Sequence, residues 1–178
     1  SGLPRQSFSQ MSPIVVLVGV PGSGKSTIGR LLARRLDVDF RDTDVDVESQ
    51  AGMPITDIFV SLGEPAFRKL EEEAVALALI EHSGVLSLGG GAVLSSRTRD
   101  LLMNQPVVWL DVDLSSAATR VGLNQSRPLL LGNVRGTMKK LLEDRAPFYA
   151  GVSRWKVDTA HRAPATIAAE IAELVKNG

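Results

Sequence analysis

Residues 19–27 (G-V-P-G-S-G-K-S-T) constrain the fold of this chain more than any other stretch. They fit the pattern G-x-x-x-x-G-K-[ST], and they stand between an apolar run at 14–18 and a helical pattern that begins at Ser26. Successive backbone N–H groups in such a loop form a nest for anions, and the positive end of the following helix adds to it. The stretch therefore predicts a phosphate-binding loop between a buried strand and a helix.

The side chains of this loop have separate expected contacts. Lys25 can reach the β- and γ-phosphates of a nucleotide, and the Ser26 hydroxyl can coordinate Mg²⁺. The residues expected to contact the nucleotide are Gly22, Ser23, Gly24, Lys25, Ser26 and Thr27.

Short apolar runs alternate with longer helical patterns along the whole chain. Strands are predicted at 14–18, 38–41, 85–88, 107–110 and 155–157. Helices are predicted at 26–36, 64–81, 97–103, 115–121, 138–150 and 164–176, with a helical turn at 57–59 and an interruption at Pro147. Strands that alternate with helices form a parallel sheet covered on both faces, and ligands gather at the carboxyl ends of its strands. The pattern therefore predicts an α/β fold.

The composition limits the partners of the chain. At 178 residues it suits a single domain, here placed at 13–178, after a tail at 1–12 that is predicted to be disordered. Because Lys+Arg and Asp+Glu are both 20, neither nucleic acid nor a membrane is an expected partner. The absence of cysteine rules out a thiolate site and fits a cytoplasmic location.

A phosphate-binding loop leaves the acceptor of the phosphate open. The chain has no N-K-x-D element, which a GTPase uses to read guanine. An ATPase motor usually has an apolar strand that ends in Asp or Glu. The apolar run at 85–88 instead contains Ser87 and is followed by glycines. These two observations favour a kinase for a small molecule, with its acidic residues elsewhere.

Asp42 and Asp44 are the candidate acidic residues. In an extended segment, residues two apart point the same way. One carboxylate can then hold Mg²⁺ through water while the other accepts a hydrogen bond from an attacking hydroxyl. The alternative is a solvated turn in which an aspartate caps a following helix.

Three arginines are candidates for binding anionic oxygens. The planar guanidinium of Arg68, Arg127 or Arg145 suits a carboxylate or a phosphate. Arg68 has an alternative, because Glu71 and Glu72 follow it at helical spacing and can form ion pairs with it.

Five stretches, taken in this order, resemble the shikimate kinase family: GVPGSGKSTIGR, DTD, GEPAFRKLEEE, LSLGGGAV and RPLLLG…DRAPFY. The resemblance implies a three-layer P-loop sandwich with a five-stranded parallel sheet, helices on both faces and a mobile lid at about 123–137. It also implies transfer of phosphate from ATP, with Mg²⁺, to the 3-hydroxyl of shikimate, on a monomer.

The resemblance also implies roles for residues at the acceptor. Asp44 binds the acceptor hydroxyls and is the expected base, while Arg68 and Arg145 grip the acceptor carboxylate. The triple glycine, Gly89, Gly90 and Gly91, lets the acceptor ring come close. A Cβ at the second or third glycine is expected to intrude on that ring, and these positions are expected to need free φ.

The remaining implied roles concern the nucleotide and the metal. Asp42 and Ser87 reach Mg²⁺ through water, and Arg127 reaches the transferring phosphate from the lid. The residues expected around the adenine are Arg120, Arg162 and Pro164.

Two other functions compete with this interpretation. A kinase similar to gluconate kinase has the same general plan but takes a linear sugar acid, whereas the triple glycine and two arginines favour a compact ring carboxylate. A non-catalytic nucleotide-binding module is the second alternative. The presence of Lys25, the acidic pair and Arg127 favours catalysis instead.

Overall fold

A computed structural model describes residues 11–123 and 133–178. Its strands are β1 (Val15–Val18), β2 (Phe40–Asp42), β3 (Val85–Ser87), β4 (Val107–Asp111) and β5 (Trp155–Asp158). Its helices are α1 (Lys25–Leu36), α2 (Thr43–Ala51), α3 (Ile55–Leu62), α4 (Glu64–Glu81), α5 (Ser96–Leu102), α6 (Leu114–Leu123), α7 (Val134–Val152) and α8 (Pro164–Asn177). A 3₁₀ turn, Ala92–Leu94, follows the triple glycine.

The five strands form one parallel sheet in the order β2-β3-β1-β4-β5, which confirms the predicted fold class. The register pairs Ser87 with Leu17 on one side and with Asp42 on the other. The carboxyl ends of β1, β2 and β3 therefore meet at one edge of the sheet. This is the edge at which ligands of open α/β sheets bind.

The sheet is the middle layer of three. Val15 and Leu17 of β1 pack against α1 and α8, whereas Val16 and Val18 pack in a cluster that includes residues of α4 to α7. All four side chains are buried. Because alternate residues of a strand face opposite sides, a strand covered on both faces is apolar throughout.

A third and smaller cluster lies between α2, α3 and the first half of α4. Its buried members are Val47, Ile58, Phe67 and Ala74. The second half of α4 packs in the cluster that β1 shares, through Val75, Ala78 and Leu79. Helix α4 therefore belongs to two cores.

Three helices of the structure differ from the prediction. Helix α2 was not predicted, because it buries only Thr43 and Val47 and has no apolar stripe. Helix α3 extends the predicted turn at 57–59 to eight residues. Helix α7 begins at Val134, earlier than predicted, and continues through Pro147 instead of being interrupted there.

The structure bears only in part on the predicted lid at 123–137. Residues 124–132 lie outside the described residues, and residues 134–137 form the start of α7. None of the described helices is long and apolar enough to cross a membrane.

Candidate active site

The loop between β1 and α1 has the conformation that an anion-binding loop requires. Gly22 and Gly24 have φ angles of 80° and 88°, in the left-handed region that glycine adopts without strain. Gly24 is also the N-cap of α1, so the N–H groups of the first helical turn have no partners within the helix. The same first turn lines the cavity beside this loop, where a helix N-terminus attracts phosphate oxygens.

Lys25 lies at the first position of α1, and its side chain folds back over the loop. Its ammonium donates to the carbonyl oxygens of Gly19 at 2.7 Å and Val20 at 3.0 Å. The positive charge is therefore held at the centre of the loop, where the predicted nucleotide phosphates would bind.

A cavity of about 240 Å³ opens beside this loop. It also reaches the ends of β2 and β3 and the last turns of α6. Its lining residues are Pro21, Gly22, Gly24, Lys25, Ser26, Thr27, Asp42, Asp44, Ser87, Leu88, Gly90, Arg120 and Val121. The structure thus brings the predicted phosphate loop, both acidic residues and the second glycine loop to one space.

Asp42 and Asp44 do not lie in one extended segment, which corrects the sequence-based geometry. Asp42 ends β2 and is the N-cap of α2, because its Oδ1 accepts the backbone N–H of Asp44 at 2.9 Å. Asp44 lies in the first turn of α2. The capping interpretation is therefore right for Asp42, and the same residue also lines the cavity.

The oxygens beside the phosphate loop fit a magnesium ion. The Ser26 hydroxyl donates to Asp42 Oδ2 at 3.5 Å, and the buried Ser87 lines the same cavity. The described residues contain no group of three or more His, Cys, Asp and Glu that could hold a metal. One or two side-chain oxygens together with phosphates and water is the arrangement that Mg²⁺ commonly adopts.

Arg68 and Glu71 form a buried ion pair on α4. Arg68 Nη1 donates to Glu71 Oε1 at 2.9 Å, and Nη2 lies 3.5 Å from Glu64 Oε1. Glu71 is 3% exposed, and this burial raises the pKa of its carboxyl above the usual range, although attraction to Arg68 opposes the shift. Arg68 Nε is buried with no hydrogen-bond partner in the part of the chain that the structure describes. A bound carboxylate would satisfy that donor.

Arg145 reaches the same carboxylate from α7. Its side chain is buried, and its positive charge lowers the pKa of Glu71 and opposes the rise in the pKa of Tyr149. Arg68 and Arg145, which the resemblance implies as a pair, therefore both lie near Glu71. Two guanidinium groups around one buried acid provide a net positive site, as a carboxylate ligand requires.

The second and third glycines of the triple glycine lie too close to other protein groups for a side chain. A Cβ at Gly91 would lie 2.1 Å from Arg68 Nη1, and a Cβ at Gly90 would lie 2.7 Å from Pro21 Cδ. Neither φ lies in the left-handed region, and Gly91 has φ of −97°. The expectation that these positions need free φ is therefore wrong. Close approach of Arg68 and Pro21 is the reason for glycine.

The first glycine touches the acidic groups. A Cβ at Gly89 would lie 2.6 Å from Glu71 Oε2 and 2.7 Å from Asp44 Oδ1. The triple glycine therefore lets both carboxylates approach the end of β3.

The residues expected around adenine are not brought together. Arg120 donates to the Gly22 carbonyl at 2.9 Å and lines the cavity. Arg162 donates to the Asp158 carbonyl at 2.7 Å and pairs with Glu170, and neither Arg162 nor Pro164 lines this cavity. Arg127 lies outside the described residues.

Two residues of this site were missed from the sequence. Glu71 was read only as an ion-pair partner, because a charged helix gives no sign of burial. Tyr149 lies four residues after Arg145, a spacing that puts both side chains on one face of a helix. The expected interruption at Pro147 concealed that spacing.

Comparisons with known proteins give one consistent result. The profile of the shikimate kinase family matches residues 21–176. A shikimate kinase of Saccharopolyspora erythraea is 57% identical over 166 residues, which cover 93% of this chain and 95% of that protein. A shikimate kinase of Salinispora arenicola is 53% identical, with coverage of 93% and 99%.

A solved structure agrees with these relatives. The shikimate kinase from Acinetobacter baumannii in complex with shikimate is 31% identical to this chain, with 98% of both chains covered and a TM-score of 0.89.

Proposed function

This chain belongs to the shikimate kinase family, and we propose how its described residues carry out the reaction of that family. The protein is an ATP-dependent kinase with a five-stranded P-loop fold. It transfers the γ-phosphate of ATP to the 3-hydroxyl of shikimate and releases ADP and shikimate 3-phosphate, in the route to the aromatic amino acids. The observation that carries the assignment of residues is the single cavity shared by Lys25, Asp44 and Gly90.

The phosphate loop binds the donor. The N–H groups at the start of α1 contact the phosphates, and the Lys25 ammonium exchanges its contacts with Gly19 and Val20 for phosphate oxygens. Ser26, Asp42 and Ser87 would hold Mg²⁺, Ser26 through its hydroxyl and the other two through water. When bound, Mg²⁺ neutralises charge on the β- and γ-phosphates.

The acceptor lies between Asp44 and two arginines, the half-buried Arg68 and the buried Arg145. Arg68 and Arg145 bind the carboxylate of shikimate, which supplies an acceptor for the buried Arg68 Nε. Asp44 accepts a hydrogen bond from the ring hydroxyls. The triple glycine keeps the end of β3 free of side chains beside Arg68 and Asp44.

Transfer is direct and needs no covalent enzyme intermediate. The oxygen of the 3-hydroxyl attacks the γ-phosphorus, and the bond from that phosphorus to the bridging β,γ-oxygen breaks as ADP leaves. The hydroxyl proton goes to the Asp44 carboxylate. Lys25 stabilises the negative charge on the phosphates during transfer, so catalysis is mainly positioning and charge neutralisation. Arg127 remains the predicted lid residue whose positive charge, together with that of Lys25, stabilises the phosphates.

The first experiment is coupled ADP release with Mg-ATP and with shikimate, gluconate, AMP or no acceptor. Release that depends on shikimate alone supports the proposal. Release with gluconate instead would assign the linear sugar acid as substrate. ATP binding without acceptor-dependent release would indicate a non-catalytic nucleotide-binding module.

The roles on the acceptor side are tested by Arg68→Ala. We expect the KM for shikimate to rise about a hundredfold while the Kd for ATP changes less than threefold, because a lost charge-assisted contact costs about 1.5–3 kcal/mol. Lys69→Ala is the matched control, since Lys69 is the exposed neighbour on the same helix. Equal losses for shikimate and ATP would contradict the carboxylate-binding role.

The state of the protein in solution is a further part of the proposal. We propose a monomer, and light scattering during gel filtration measures its mass in solution. The cytoplasmic location, the single domain at 13–178 and the lid at 123–137 remain predictions.

A further inference from the structure

Tyr149 is the one tyrosine of the chain, and its hydroxyl is buried beside the second glycine loop. The hydroxyl donates to the carbonyl oxygen of Gly90 at 2.5 Å. Burial raises the pKa of Tyr149 to about 12, so the phenol remains protonated and able to donate at neutral pH. The hydrogen bond joins α7 to the middle of the triple glycine, 59 residues earlier in the chain.

Gly90 is in turn packed against the phosphate loop. Its Cα leaves no space for a Cβ, which would lie 2.7 Å from Pro21 Cδ and 3.3 Å from the Gly19 carbonyl oxygen. Gly90 therefore contacts both Pro21 of the phosphate loop and the Tyr149 hydroxyl. Any shift of Gly90 changes the separation between the loop that holds ATP and the loop that contacts the acceptor.

Tyr149 also contacts the acceptor side of the site. The positively charged Arg145 side chain, one helical turn earlier on α7, lies near this hydroxyl and opposes the rise in the pKa of Tyr149. The charges that face the hydroxyl are Arg145, Arg68 and Glu71. Its ring packs against Trp109 at 5.8 Å between centroids, which fixes the phenol in place. One hydroxyl thus lies beside the acceptor-binding arginine and binds the glycine loop.

We propose that Tyr149 is a positioning residue for phosphoryl transfer. Through its bond to Gly90 it sets the distance between the two glycine loops, and it orients Arg145. In-line transfer depends steeply on this distance, because an error of about 1 Å in the placement of reacting groups can cost about a hundredfold in rate. The inference rests on the proposed function, since it concerns the step from ATP to shikimate.

The test is Tyr149→Phe, which keeps the ring against Trp109 and removes only the hydroxyl. The expected result is a fall in kcat of about tenfold to a hundredfold and a rise of a few-fold in the KM for shikimate. The Kd for ATP, measured without acceptor, should change less than twofold. A merely structural role predicts a lower melting temperature with kcat and both KM values unchanged, and that result would overturn the proposal.

Two control variants separate the hydroxyl from packing. Ser153→Ala removes a hydroxyl that donates to the backbone carbonyl of Tyr149 itself, at the end of the same helix. Trp109→Phe loosens the packing of the Tyr149 ring without changing its hydroxyl. Both should be less stable than the wild type but retain its kcat. The same loss of kcat in Trp109→Phe would assign the effect to packing and refute the proposal.

A measurement on the unmutated sequence keeps the proposal testable if Tyr149→Phe does not fold. Because the chain has one tyrosine, growth with 3-fluorotyrosine gives a single ¹⁹F resonance. Saturating shikimate should shift that resonance, since it engages Arg145 and the triple glycine. An unshifted resonance in protein that turns over shikimate would contradict the inference and leave the proposed function intact. Absence of shikimate turnover in the unmutated protein would instead refute the function.

Discussion

Gly91→Ala should weaken acceptor binding and leave ATP binding unchanged. The new Cβ would lie 2.1 Å from Arg68 Nη1 and 2.6 Å from both Cζ and Nη2. Van der Waals contact requires about 3.5 Å, so the guanidinium must move by more than about 1 Å. The backbone of Gly91, with φ of −97° and ψ of 3°, accepts alanine without strain.

The cost of this movement follows from the contacts of Arg68. Hydrogen bonds to a charged group contribute about 1.5–3 kcal/mol, and about 1.4 kcal/mol corresponds to a factor of ten. The kcat/KM for shikimate should therefore fall about tenfold to a hundredfold. Because the displaced guanidinium also pairs with the buried Glu71 carboxylate, the free energy of unfolding should fall as well, by about 1–3 kcal/mol.

The assay is coupled ADP release with shikimate varied at saturating ATP, together with ATP binding and thermal unfolding. Gly151→Ala is the matched control, because a Cβ at Gly151 meets nothing within 4 Å. Gly90→Ala should behave differently, since its Cβ meets the rigid ring of Pro21. It should reduce both stability and ATP binding. A KM for shikimate within twofold of the wild type in Gly91→Ala would refute the reasoning.

Three other substitutions test single parts of the site. Lys25→Met should abolish turnover while the circular dichroism spectrum stays unchanged, and normal turnover would contradict the phosphate-loop assignment. Asp42→Asn should raise the Mg²⁺ concentration for half-maximal rate several-fold without loss of stability, because asparagine also caps helices well; an unchanged Mg²⁺ titration would remove Asp42 from the metal site. The pKa of Glu71 is raised in the folded state, so at a pH between the usual and the raised pKa the folded protein binds a proton that the unfolded chain has lost. The contribution of Glu71 to the free energy of unfolding therefore falls as the pH rises through this range. Urea unfolding at several pH values measures this effect: Glu71→Gln should remove this part of the decline in the free energy of unfolding, and the exposed Glu73→Gln should retain it. Identical pH dependence in both variants would contradict the assignment.

The sequence predicted those elements whose pattern is local. The phosphate loop, the apolar strands and α4 depend on neighbouring residues, and α4 begins and ends where predicted. Helix α2 was missed because its helical state depends on the Asp42 cap and on two buried side chains. The continuity of α7 through Pro147 depends on packing against other elements, which propensity does not contain.

The residue types of the candidate site could be predicted from the sequence, but their contacts could not. Residue types that bind phosphate or carboxylate, such as Lys25 and Arg68, are visible in the sequence. The reason for glycine at position 91 is not visible in the sequence, because it is the close approach of the Arg68 side chain, 23 positions earlier. The burial of Glu71 likewise arises only when α4 meets the triple glycine and α7.

The small core under α2 and α3 has a consequence for how the acceptor is admitted. Asp44 and the Arg68 half of α4 rest on four buried residues, whereas Arg145 rests on the large cluster beside the sheet. The smaller unit should open locally at a lower free energy than the whole domain, and amide exchange in α2 and α3 should report that opening. Shikimate bound to Arg68 on one core and to Arg145 on the other would connect the two cores. Its binding should therefore slow amide exchange in α2 and α3.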